Sequence, residues 1–178
     1  MQEDYRMRTI FALVAVAACA AARADSATDT VTLTGETTIS SSTTYNARIT
    51  GSGSFKVTNG ATLLLNHGTN DFTGGVVVEN GELQTRNALN NTSTFAGTGD
   101  VTLNCTGNTK CQWVFHSVLD NNIVINGNSS ATYPATDQVG GGTIRGTVTA
   151  NGDWYIGSSG YDGRSDTWTR RRSPSTAG

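Results

Sequence analysis

Short apolar runs recur along this chain at a nearly constant long spacing, and none beyond residue 24 is long enough for a helix. The runs begin at Val31, Phe55, Val76, Val101, Ile123 and Val148, in steps that differ little from one another. A second series, Ile39, Leu63, Leu83 and Trp113, follows several of them, with Tyr155 much later. Runs of this length, rich in Val, Leu and Thr and bounded by Gly, Asn and Ser, read as strands. Each is too short to bury a core alone, so the strands must stack. A repeat of roughly 20 to 25 residues without a helix is what a coil of parallel strands gives. The expected fold is all-β, a right-handed parallel β-helix (solenoid) of about five or six short rungs, roughly 25 Å tall at ~4.8 Å per rung. On the residues alone a β-sandwich remains the alternative.

Alternation sends Val76, Val78, Val101, Leu103, Ile123 and Ile125 inward. Corners need positive φ, which Gly allows and Asn tolerates. Asn59, Asn80, Asn104 and Asn126 follow strand runs at rung spacing and are expected at corners.

One unit of the pattern is more specific. Gly51 and Gly53 precede a strand, Leu63 and Leu65 lie in the next, and Asn70, Phe72, Thr73, Gly74 and Gly75 form a turn. Val76 and Val78 follow, then Asn80, Gly81 and Leu83, with Ala88-Leu89 beyond. In this order the residues resemble the autotransporter-associated β-strand repeat of secreted bacterial passenger regions, over about a third of the chain. Val76 stands where that family usually has Thr, and Asn66-His67-Gly68 replaces a more regular turn. The resemblance implies a parallel β-helix at a cell surface with adhesion as its usual business. Further repeats or a membrane barrel would be its partners, with a surface carbohydrate or host protein as ligand.

Residues 1–24 read as a secretory signal peptide, with Met7 as the expected true start. Met7-Arg8-Thr9 is a basic start, Ile10 to Cys19 is apolar, and Ala22-Arg23-Ala24 is a small-x-small cleavage site before Asp25. Val16-Ala17-Ala18-Cys19 also resembles a lipobox, in which Cys19 would be acylated to give a lipid-anchored envelope protein. Residues 25–160 form the repeat domain, and 161–178 read as a disordered or truncated tail. Residues 25–160 hold ten acidic and five basic residues without a basic stripe, which argues against a nucleic-acid partner. Cys105 and Cys111 bracket a turn-forming segment and, at an oxidising address, are expected as a disulfide, with metal binding as the alternative.

Chemistry has little to build on. A β-helix lyase or hydrolase, the rival function, needs clustered carboxylates for calcium and a basic proton acceptor. Here Asp71, Glu79, Glu82, Asp100, Asp120, Asp137 and Asp153 are scattered, and only a favourable registration would align Asp71, Asp100 and Asp120. His67 and His116 are the only histidines, and Gly140-Gly141-Gly142 lacks the lysine and helix of a phosphate loop. No catalytic, metal or cofactor residues are assigned. Trp113 and Trp154 are the candidates for stacking on sugar rings, against core packing as the competing role. The expectation is a secreted, non-enzymatic structural or adhesive protein.

Overall fold

The computed structural model describes residues 28–85, 94–104, 111–115, 118–127, 134–138, 143–151, 154–158 and 167–171. Every regular element among them is a strand. In order these are β1 (Thr30–Leu33), β2 (Glu36–Ile39), β3 (Thr43–Tyr45), β4 (Arg48–Gly51), β5 (Ser54–Val57) and β6 (Ala61–Leu65). Next come β7 (Val76–Val78), β8 (Gly81–Thr85), β9 (Val101–Asn104), β10 (Cys111–Phe115), β11 (Val118–Leu119) and β12 (Ile123–Asn126). The chain continues through β13 (Pro134–Gln138), β14 (Thr143–Ile144), β15 (Val148–Asn151), β16 (Trp154–Ser158) and β17 (Thr167–Arg171).

The strands coil into a β-solenoid of about four turns with a sealed core, flanked by an end rung on each side. One face is a six-stranded parallel sheet in the order β15-β12-β9-β7-β5-β2. Its inward column runs Thr37, Phe55, Val76, Val101, Ile123, Val148. The four middle members of that column are buried, and the end members Thr37 and Val148 are half-buried. Five of the six runs expected to stack do so. Val31 does not: it lies in β1 and pairs with Ile49 of β4 on another face. The place above Phe55 belongs to Thr37, a polar residue that a search for apolar runs passes over.

The second face stacks β3, β6, β8, β10, β13 and β16 in parallel. Its column Leu63, Leu83, Trp113 is the one expected. Ile39 is not in it, because it sits over Val57 in the six-stranded sheet. Tyr155 pairs with Ala135, and Ile156 takes the column position instead. Within 161–178, Thr167–Arg171 forms β17, which runs antiparallel on β16 and ends this sheet. The third face is thinner, built from the β1–β4 and β11–β14 pairs and a Thr69–Thr94 bridge.

Between the third face and the six-stranded sheet the corner is a column of five glycines and one asparagine: Gly35, Gly53, Gly74, Gly99, Asn121, Gly146. The backbones come so close there that a Cβ on Gly74 would sit 2.5 Å from the Gly53 carbonyl oxygen. Gly75, at φ +76°, turns the chain into β7. Gly74-Gly75 is the corner expected of it.

The interior is closed by an aromatic chain across all three faces. The Phe55 ring is 5.3 Å from Tyr45 and 5.4 Å from Phe72, edge-on to the latter. Burial pushes the Tyr45 hydroxyl pKa above its usual value.

Val101 is fully buried between Val76 and Ile123, whereas Thr102 points out from the same strand. Val101→Asp should lower stability by several kcal/mol, since it places an unpaired carboxylate between rungs. Thr102→Asp should cost less than about 1 kcal/mol. Urea unfolding of both variants checks this, and equal tolerance would contradict the register.

Candidate functional site

The residues of the repeat unit turn out to do the packing of the coil. Leu63, Leu65, Phe72, Val76, Val78 and Leu83 are all buried inside it. Gly51, at φ +102°, and Gly53 carry the chain from β4 into β5, and Thr73 N–H donates to the Gly51 carbonyl at 2.9 Å. Asn80 lies in the turn before β8 and Gly81 opens that strand; the Asn80 carbonyl accepts from Gly60 N–H at 2.9 Å. Asn70 is the polar member of the set that is buried with the apolar ones, at 1% exposure. Its Oδ1 accepts from Ile49 N–H at 2.8 Å on the preceding turn, and its Nδ2 donates to Phe95 O at 2.7 Å on the next. One side chain thus clamps three turns where the third face has no continuous ladder.

Trp113 offers no face to a sugar. It is fully buried, tilted against Phe115 at 5.5 Å between ring centroids, and its indole N–H donates to Thr85 Oγ1 at 3.1 Å. Its external stacking role is therefore withdrawn. Trp154 lies in β16, with its side chain outside the described groups. Cys111 is buried and its thiol donates to the Glu79 carbonyl at 3.3 Å. Cys105 lies outside the described residues, and with it the expected Cys105–Cys111 disulfide.

The acids singled out in the sequence are, where described, engaged by neighbouring side chains. Asp71 meets Arg48 at 2.6 Å, Glu79 meets Lys56 at 2.8 Å, and Asp120 lies 3.8 Å from Arg145. Each of these pairs joins one turn to the next. Asp100 accepts from Asn122 Nδ2 at 3.2 Å, and Glu82 accepts from Gln84 Nε2 within its own strand. The hydrogen bond to Glu79 raises the Lys56 pKa above its usual value. Relative to the glycine corner column, Asp71 stands three residues before Gly74, Asp120 one before Asn121, and Asp100 one after Gly99. The three therefore do not converge. Asp137 lies in β13, with its side chain outside the described groups. His67 accepts from Thr69 N–H through Nδ1 at 3.3 Å, while His116 and Asp153 lie outside the described residues. Among the described residues no three His, Cys, Asp or Glu come together as a metal site.

What the sequence reading missed is a set of side-chain ladders at rung spacing. Asn151 Nδ2 donates to Asn126 Oδ1 at 2.9 Å, and Asn126 Nδ2 reaches Asn104 Oδ1 at 3.5 Å. Asn66 Nδ2 donates to Asn46 Oδ1 at 2.8 Å. Asn121, standing in the glycine column, donates through Nδ2 to Gly97 O and Gly99 O at 3.0 and 2.8 Å. The signal that could have found Asn151 is its distance of one period from Asn126. The Asn104–Asn126–Asn151 ladder borders the outer side of the six-stranded sheet, whereas the Asn46–Asn66 pair lies between the second and third faces. On the second sheet, by contrast, alternation places Gln112 and Val114 outward, yet both are buried. The candidate functional surface is accordingly the outer face of the six-stranded sheet.

No known protein family, curated protein or solved structure matches the chain.

Asn70→Ala should cost about 2–4 kcal/mol, because it strands a buried donor on Ile49 and a buried acceptor on Phe95. Asp71→Ala removes only a half-exposed ion pair and should cost less than about 1 kcal/mol. Chemical denaturation of the two variants tests the difference, and similar losses would contradict the clamp.

Proposed function

We propose that this chain is an exported, non-enzymatic surface protein, a β-solenoid of the autotransporter-associated repeat type that extends or presents a surface and takes part in adhesion. The observation that carries the reading is the use made of the described acids. Asp71, Glu79 and Asp120 are each spent on a cation one turn away, an arrangement that braces a coil and brings no acid and base together around a substrate. The repeat residues support it too, since Asn70 and Phe72 are occupied in joining turns. Export rests on the basic start, apolar run and Ala22-Arg23-Ala24 site at the beginning of the sequence. In this reading further repeats or a membrane barrel, carried outside these 178 residues, would hold the coil at the surface. A surface carbohydrate or a host protein would be the ligand.

The exported protein, incubated with a panel of polysaccharides with and without calcium, should release no soluble sugar, and its N-terminus should be Asp25 by mass spectrometry. Turnover that disappears in Asp71→Asn, Asp100→Asn or Asp120→Asn would establish a β-helix lyase or hydrolase instead. A diacylated Cys19 would establish a lipid-anchored envelope protein.

A further inference from the structure

We propose that the outer face of β9, β12 and β15 is a binding surface for a neutral, extended polysaccharide. This deepens the reading of the chain as a non-catalytic surface protein and rests on it. The three strands are in register, so their outward side chains form a grid with rows ~4.8 Å apart and columns about 6.7 Å apart. The middle column is Thr102, Val124, Thr149, all β-branched and all at least partly exposed. One flanking column is the amide ladder of Asn104, Asn126 and Asn151. The other is Asp100, Asn122 and Thr147, where Asn122 Nδ2 donates to Asp100 Oδ1 and Asn122 Oδ1 accepts from Thr147 N–H at 3.1 Å.

Three features of this grid choose the ligand. First, it carries one formal charge, on Asp100, and no Lys or Arg, so it does not attract an anionic glycan, a nucleic acid or a membrane surface. Second, it has no Trp, Tyr or Arg and only one purely apolar side chain, Val124, so it lacks the buried anchor on which protein interfaces depend. Third, the groups it does present are amides and hydroxyls, each able to donate and accept, as a polyhydroxylated chain requires. The ladders hold these amides in place before any ligand arrives, which lowers the ordering cost of binding. Two rungs span about 9.6 Å, close to the repeat of a disaccharide in an extended chain. An in-register lattice of this kind fits a polymer lying across the rungs.

The test is depletion of the exported protein from solution by microcrystalline cellulose and by chitin, with heparin resin as the anionic comparison. Depletion is expected on at least one neutral polymer and none on heparin at physiological salt. Val124→Asp and Thr149→Asp should each weaken retention at least tenfold, while Thr44→Asp, exposed on the second sheet, should leave it unchanged. Thr149 lies on the exposed end rung, so its variant remains informative if Val124→Asp fails to fold. No depletion by either neutral polymer, retention on heparin alone, or equal weakening by Thr44→Asp would overturn the proposal. Soluble sugar released from a bound polymer would contradict the non-enzymatic reading and leave the binding surface standing, so the two failures are told apart.

Discussion

Each rung of the six-stranded sheet is tied to the next by amides that point the same way. Phe55, Val76, Val101 and Ile123 donate their N–H groups to the carbonyls of Gly75, Asp100, Asn122 and Thr147, at 2.8 to 3.1 Å. A parallel ladder of this kind satisfies the backbone only if every turn advances the chain by one strand spacing. That requirement sets the rest. It holds Val101 between Val76 and Ile123, and it brings Gly74 so close to the Gly53 carbonyl that a Cβ on Gly74 would collide with it. It also fixes which polar side chains can meet: those one period apart, such as Arg48 with Asp71 and Asn126 with Asn151.

Much of this was legible in the sequence because inward positions in the middle turns carry bulky apolar residues at constant spacing. Phe55, Val76, Val101, Ile123 and Val148 could be aligned without a structure, as could Leu63, Leu83 and Trp113. The first turn could not, because Thr37 and Phe55 stand closer together in sequence than any later pair of that column, and the inward residue there is a threonine. Val31 sat nearer the average period and drew the alignment to the wrong face. Ile39 misled for the same reason, lying about one period before Leu63 but packing in register with Val57.

The polar side was harder to read, since its partners are set by registration and not by local pattern. Asn104 and Asn126 could be named as corner residues from their spacing. Asn59 and Asn80 share a neighbouring column, where Asn59 takes φ 58° and donates to Ser40 O at 3.2 Å. Trp113 could be assigned to the core only once Thr85, on the preceding rung, was seen to satisfy its indole N–H. Nor could the spacing of acids show whether Asp71, Asp100 and Asp120 converge. That depends on how many residues each corner uses, and the third face varies most in that respect.

If the ladder is the organising constraint, distance along the coil must grow by one strand spacing per period of sequence. Thr38, Val124 and Thr149 occupy one outward column, four and five rungs apart, and can carry spin labels as Thr38→Cys with Val124→Cys or Thr149→Cys. Pulsed dipolar spectroscopy should give backbone separations of about 19 Å for the first pair and about 24 Å for the second, one rung longer. Equal distances, or a shorter one for the pair further apart in sequence, would mean that the strands do not follow one another up a single coil.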